Sequence, residues 1–240
     1  MAYSLKYDLH THTTYSHGKG SILDNVKEAN AKGIKELGIA DHGPGHKFYG
    51  IKMADLPNIR NDIAKAKELF PDMDIKLGVE ANIINESGRL DVSKNDQALF
   101  DYIIAGYHYG VLGENPWKAI KVCIGGYVRV FSNKSYNTDL IVKALYENPI
   151  KILTHPDDKI DVDIDEIAKA CEKTGALMEI NNHHLSLHSD SIRIAAKYNV
   201  NFVFSSDAHR SIDVGTFDKA LGLAKVADLP LERVVNLWNL

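Results

Sequence analysis

The sequence predicts an α/β fold, closed into a barrel rather than spread as an open sheet. Three observations predict it. Seven short apolar, strand-like runs recur along the chain. Amphipathic helical stretches lie between them, and repeated strand–helix alternation implies parallel strands joined by right-handed crossovers. A length of 240 residues suits one α/β barrel, residues 1–240, as a single domain. The pattern alone leaves a doubly wound sheet open as the alternative.

The strand candidates, in order, are "KYDLH" (6–10), "ELGIAD" (36–41), "IKLGVEA" (75–81), "YIIAGYH" (102–108), "KILTHP" (151–156), "ALMEINN" (176–182) and "NFVFSSDAH" (201–209). The first helix, 21–33, carries Asp24 near its start and ends at Gly33. The next, 55–70, stops before Pro71, and 137–148 stops before Pro149. Helix 163–175 opens on acidic residues and closes at Gly175, and 191–199 follows Asp190. A last helical pair is expected over 216–239, interrupted at Pro230. Early acids suit the positive end of a helix, and Gly or Pro suits its exit. Two segments break the rhythm: the polar stretch 82–100, and the Gly-rich, aromatic stretch 109–135, a candidate lid or oligomer contact that contains Arg129.

Composition narrows the class. Apolar residues make up 45% and charged residues 25%, ample for a full core. The net charge of −4, with no run of Lys or Arg beyond two, argues against a dedicated nucleic-acid or anionic-membrane surface. Cys123 and Cys171 belong to no C-x-x-C pattern and read as buried free thiols of a reducing compartment. The amino terminus does not read as a signal peptide, and no stretch approaches the roughly 18 apolar residues of a membrane span. The expectation is a cytoplasmic enzyme or binding protein.

The unusual feature is the histidine content, eleven spread over the whole chain. His10 and His12 stand at i and i+2 at the end of the first strand, so they project from one face, with Asp8 expected below them. Asp207 and His209 repeat the spacing at the last strand. His42 follows "GIAD", Glu80 ends "KLGV", His108 ends "IIAGY" and His155 ends "KILT". All therefore occupy the carboxyl ends of strands, the face that carries active sites in α/β barrels. His17 lies in the loop above that face. A single strand-end histidine is more often a hydrogen-bonded structural residue than a ligand, but a buried Glu costs several kcal/mol unless paired, hydrogen-bonded or on a metal. So many imidazoles and carboxylates at one end suit zinc, manganese or iron. The nine candidates His10, His12, His17, His42, Glu80, His108, His155, Asp207 and His209 exceed one ion at about three or four protein ligands each. They imply two or three metals, with a bridging carboxylate.

With "DLHTH", "ADHG", "GVEAN", "AGYH", "THP" and "SSDAH" in this order, the sequence resembles the PHP (polymerase and histidinol phosphatase) family of metal-dependent phosphoesterases, over nearly its whole length. It looks most like the small single-domain bacterial branch with a trinuclear zinc site. There "EINN" (179–182), "GTF" (215–217) and "LPLERVVN" are also familiar. The resemblance implies a distorted TIM-like (β/α)7 barrel. It implies one ion on His10, His12, Glu80 and Asp207, a second on Glu80, His108 and His155, and a third on His17, His42 and His209. Glu80 would bridge the first two.

The implied reaction is hydrolysis of a phosphate monoester by a metal-bound hydroxide, with Glu80, Asp207 and His209 as catalytic residues. Three divalent ions, less two carboxylates and a hydroxide, leave a charge of about +3, which suits a phosphate dianion. Zn2+ is the expected cofactor, with Mn2+ or Fe2+ as substitutes. The expected partner is a small-molecule phosphate ester, with a homo-oligomer open and neither membrane nor nucleic acid expected. His46, Lys47, Asn182, His183 and Arg210 are candidate substrate contacts, with His184 and His188 on the same rim. Asp8 and Asp41 are candidates to orient neighbouring imidazoles, against an even alternative of simple strand-end hydrogen bonding. Rival readings are a histidinol phosphatase specifically, an amidohydrolase-type barrel, a PHP-type nuclease, and a non-catalytic metal-binding domain.

Overall fold

The computed structural model describes residues 3–85, 87–108, 111, 133–185 and 187–239. A short strand β1 (Tyr3–Leu5) is followed by seven strands that pair in chain order: β2 (Tyr7–Asp8), β3 (Glu36–Ile39), β4 (Asp74–Asn82), β5 (Tyr102–Gly106), β6 (Ile150–Leu153), β7 (Leu177–Asn181) and β8 (Phe202–Ser205). Every pairing from β2 to β8 is parallel. The ring closes where Thr11, beyond β2, bridges Ala208, beyond β8, also in parallel. The barrel is thus the fold, and the open sheet is not. Its distortion lies in unequal strands, two residues in β2 against nine in β4, and in a register shift between Ile103 and Ile104 on β5.

The described helices are α1 (Ile22–Ala31), α2 (Leu56–Leu69), α3 (Lys134–Glu147), α4 (Ile164–Thr174), α5 (Ser189–Ala195) and α6 (Asp218–Val226). Their ends follow the local chemistry. Ser21 and Asp24 form a reciprocal capping box at the start of α1. Pro57 sits in the first turn of α2, where its missing N–H costs nothing. Asp163 caps α4, and Gly175 ends it in the left-handed region at φ 79. None of the described helices is long and apolar enough to cross a membrane.

The last helical pair is corrected. Helix α6 stops at Val226, Asp228 takes φ 55, and a single 3-10 turn, Leu231–Arg233, follows Pro230. The chain then finishes as strand β9 (Leu237–Asn239), antiparallel to β1. Tertiary pairing wins here: Val234 bridges Phe202, and a short amphipathic segment after a proline has too few turns to hold a helix alone. Val111 bridges His46, whereas most of the 109–135 segment, with Cys123 and Arg129, lies outside the described residues.

Apolar packing forms two shells. The outer one lies between strands and helices and holds Ile39, Val79, Ile103, Ile167 and Phe204, all nearly inaccessible. The inner one fills the barrel with Leu9, Ala40, Tyr102, Ile104, Ile152 and Val203. Tyr102 is its largest member, and its hydroxyl donates to the Leu9 carbonyl at 2.8 Å. A methyl group at Gly38 or Gly78 would collide with the Tyr102 ring, so two glycines on adjacent strands make the space it fills. This apolar plug floors the barrel, and the polar site stands on it, at the strands' carboxyl ends.

Candidate metal centre

Strand alternation explains how the central residue arrives. On β4, Gly78 faces Tyr102, so Glu80, two residues on, points inward one layer higher. Val203 is in the inner shell on β8, and Asp207 lies four residues further. Three places depart from simple alternation: the Leu9–His12 run, His155 and Asp207. Leu9, not Asp8, joins the inner shell, yet both His10 and His12 reach the centre. His155 takes φ 27 and Asp207 φ 51, a left-handed backbone that is unfavourable for a residue with a Cβ. Such backbone strain is characteristic of sites where geometry is dictated by function.

Glu80 is the hub. It is fully buried, and one oxygen, Oε1, lies 2.9 Å from His155 Nε2, 3.1 Å from His108 Nε2 and 3.3 Å from His10 Nε2. Its other oxygen lies 2.8 Å from His42 Nδ1 and 3.5 Å from His12 Nε2. Asp207 Oδ1 lies 3.1 Å from His12 Nε2 and 3.5 Å from His10 Nε2. The rings of His17 and His42 are stacked 4.8 Å apart, and His17 meets His209 edge-on at 4.2 Å. All nine residues singled out in the sequence therefore meet in one cluster. Three groups within it place donor atoms close enough to share an ion: His12, His17, His42 and His209; His10, His12 and Asp207; His42, Glu80 and His108. His12 and His42 belong to two groups each.

The electrostatics suit a cation. Burial alone would raise Glu80 and Asp207, but the surrounding imidazoles, His108 and His10 foremost for Glu80 and His10 and His12 for Asp207, hold both well below the usual carboxylate range. Burial holds His12 well below its usual value, His17 at about 3 and His108 at about 4, so these rings are neutral and keep a lone pair to donate near pH 7. Burial also opposes charge on His10, yet the carboxylates of Asp207, Glu80 and Glu179 outweigh it and raise that ring well above its usual value. Several polar atoms of the cluster are buried without a hydrogen bond, among them His12 Nδ1, His17 Nδ1 and His108 Nδ1. Orphaned polar atoms at such density cost several kcal/mol together unless something positive answers them.

Glu179 is the residue that the sequence reading missed. It is fully buried on β7; Oε1 accepts from His10 Nδ1 at 2.7 Å, and Oε2 accepts from the His155 backbone N–H and from Asn181 Nδ2, each at 2.9 Å. A carboxylate can only accept there, so His10 holds a proton on Nδ1 and turns Nε2 toward Glu80 and Asp207. The Asp207 carbonyl does the same for His209, at 2.9 Å from Nδ1. An acid inside the apolar run "ALMEINN" was the available signal, since Glu is almost never fully buried unpaired.

The remaining candidates divide. Asp8 accepts from Ser206 N–H and Oγ, Gly215 N–H and the His10 backbone, while Asp41 accepts from Thr13 and Ser16. Neither hydrogen-bonds an imidazole; both brace backbone beside the site. His46 stacks on His42 at 5.4 Å, and His183 stacks on His209 at 5.2 Å, so both border the cluster. His184 lies between Asp158 and Asp207, 3.4 and 3.7 Å away. Asn182 instead spends its side-chain oxygen on the N–H groups of Lys219 and Ala220 at the start of α6. Arg210 is held bidentately by Asp213 at 2.7 and 2.8 Å. Lys47 is exposed, its ammonium over the Phe48 ring.

With this geometry in hand, known proteins offer a comparison. A probable phosphatase of Clostridium acetobutylicum is 32% identical, over 97% of this chain and 91% of that one. The probable phosphatase YcdX of Shigella flexneri is 29% identical, over 96% and 89% respectively. Among solved structures, histidinol phosphate phosphatase of Lactococcus lactis, complexed with zinc, L-histidinol and phosphate, superposes with a TM-score of 0.62 at 17% identity, over 93% of this chain and 94% of that one. A chain of archaeal ribonuclease P with mature tRNA gives 0.60 at 12% identity, over 95% and 84%. These two likenesses concern the fold. The PHP domain model matches residues 8–183, which span the first strand of the barrel through the loop after β7, and the chain belongs to the PHP domain family.

Proposed function

We propose that the chain is a metal-dependent hydrolase of phosphate monoesters that works with three divalent ions, Zn2+ foremost, with Mn2+ or Fe2+ as substitutes. The observation that carries the reading is Glu80, whose Oε1 faces His108 and His155 while its Oε2 faces His12, so that one buried carboxylate meets the imidazoles of two sets. One ion falls to His10, His12, Glu80 and Asp207, a second to Glu80, His108 and His155, and a third to His17, His42 and His209. The sharing of His12 and His42 between groups is consistent with ions packed side by side. Phosphatase names among the relatives, and zinc and phosphate in the Lactococcus lactis protein, support the same class.

Ions held there would supply Lewis acidity, acidifying water and neutralising the phosphoryl group. The chain's own residues do the rest. Glu80 and Asp207 supply the negative charge that concentrates cations, and Glu179 holds His10 in one tautomer. His209 stands at the rim, its side chain 19% exposed, where an ester can reach it. His46, Lys47 and His183 line the approach. Asn182 and Arg210 would have to release their present partners to touch substrate, which ranks them below the others. A small phosphate ester in the cytoplasm is the substrate this suits.

The test is Glu80→Gln. Elemental analysis of the purified protein is expected to find about two or three ions per chain. The substitution is expected to lower that content by two ions together and to abolish phosphate release from a generic monoester. Full metal retention in Glu80→Gln overturns the bridging role. Hydrolysis of amides or lactones without any phosphate release overturns the reaction, and faster degradation of single-stranded DNA than of small esters points to a nuclease.

A further inference from the structure

The loop after β3 carries a feature that metal binding does not use. Residues 42–51 form a closed turn. The Ile51 N–H donates to the His42 carbonyl at 3.0 Å, Gly50 N–H to the His46 carbonyl at 2.9 Å, and Gly45 N–H to Asp91 Oδ2 at 2.9 Å. Tyr49 N–H donates to His46 Nδ1 at 3.1 Å. A side chain at Gly50 would run into the Gly43 and His46 carbonyls, so the turn closes only with glycine there. The tip is therefore held in place, and it presents Phe48 at 72% and Tyr49 at 45% exposure. Among the described residues Phe48 is the most exposed large apolar side chain.

These rings continue the site. Tyr49 stacks on the candidate ligand His17 at 4.5 Å with 28° between planes, and on His46 at 4.9 Å with 25°. Phe48 follows at 6.3 Å from Tyr49, and the Lys47 ammonium stands 5.7 Å over the Phe48 ring. A line of aromatic rings thus leads from the imidazole cluster to solvent, beginning at His17 and ending at Phe48. An exposed phenylalanine on a fixed turn gains nothing for the core, and apolar or aromatic surface beside a few convergent polar groups is the usual make-up of a small-molecule site.

We propose that Tyr49 and Phe48 form a stacking seat for an aromatic ring in the alcohol portion of the substrate, so that the site prefers phosphate monoesters of ring-bearing alcohols. The inference rests on the phosphomonoesterase reading. Flat rings pair offset-stacked or edge to face with a gain beyond their buried area, which an aliphatic group of equal size does not receive. Lys47 adds an ammonium that favours an electron-rich ring over a saturated one.

Benzylphosphonate and cyclohexylmethylphosphonate, which resist hydrolysis and carry a flat aromatic and a saturated six-membered ring on the same methylene, separate the possibilities by calorimetry on the metal-loaded protein. The wild type is expected to bind the benzyl compound about 2- to 10-fold more tightly, the factor that aromatic pairing supplies. Phe48→Tyr is expected to keep the preference, while Phe48→Leu, which retains apolar area, and Phe48→Ala lose it. At 72% exposure these substitutions leave the core untouched. Equal affinities in the wild type, a preference that survives Phe48→Ala, or binding of neither compound overturns the seat. Phosphate release from benzyl phosphate is measured alongside. Release without ring preference overturns the seat and spares the reaction, and ring preference without release overturns the reaction and spares the seat.

Discussion

Glu179 illustrates how much one buried side chain can decide. Its carboxylate ties His10 beyond β2 and His155 beyond β6 to β7, at 2.7 and 2.9 Å. The bond to the His155 N–H restrains a backbone held at φ 27, which no alternation of the strand would produce. Replacement by Gln keeps the volume, but its one oxygen can stand in for Oε1 or Oε2 and not both, so it accepts either from His10 or from the His155 N–H and Asn181, and its amide nitrogen faces the remaining donor side. Loss of such an outer partner of a metal-ligating histidine typically costs about 10- to 100-fold in metal affinity. Glu179→Gln is therefore expected to release zinc to a chelator at correspondingly lower concentration, measured by competition with a metal indicator. Unchanged affinity would remove Glu179 from the positioning role.

At the scale of elements, the strands were legible because each is an apolar run bounded by polar punctuation, and in a parallel barrel both faces are buried. The histidines and acids at the ends of those runs were legible for the same reason, since a polar residue closing an apolar strand stands out. The His155 turn, the break in alternation at Leu9 and the pairing of β1 with β9 depend on contacts far away in sequence, so no local pattern carries them. Helix α4 shows local and tertiary chemistry in agreement. Asp163 caps its start, Asp165 and Glu166 occupy the first turn, and Gly175 accepts the left-handed exit at φ 79. A Cβ on Gly175 would meet nothing within 4 Å, so Gly175→Ala costs only backbone strain. A loss of roughly 1 kcal/mol is expected, read as a lower thermal midpoint with metal affinity unchanged.

For the whole molecule, the weak point of a barrel is where its first strand meets its last. The seam between β2 and β8 lacks a continuous ladder, and three devices close it at successive heights. Near the floor, Asn236 donates from Nδ2 to the Tyr7 carbonyl at 2.9 Å and the Phe204 carbonyl at 2.7 Å, while its Oδ1 accepts from the Phe204 N–H at 3.0 Å. In the middle, Asp8 accepts from Ser206. At the top, the His12 N–H donates to the Ala208 carbonyl at 2.9 Å. His10 and His12 lie on one side of this seam and Asp207 on the other, so an ion held by all three, as proposed, would be a fourth clasp. Barrel closure and metal binding must then reinforce each other, since whatever binds only the closed state stabilises it. Asn236 is fully buried, and Asn236→Ala leaves three backbone groups without partners, at roughly 1 to 3 kcal/mol for each group that stays unsatisfied. The variant is expected to lose thermal stability and zinc affinity together, and added zinc should restore part of the lost midpoint. Gly175→Ala on the outer helix is expected to lose stability alone. A seam variant whose zinc affinity matches the wild type would show that the ligands are positioned by their own loops and owe nothing to closure of the ring.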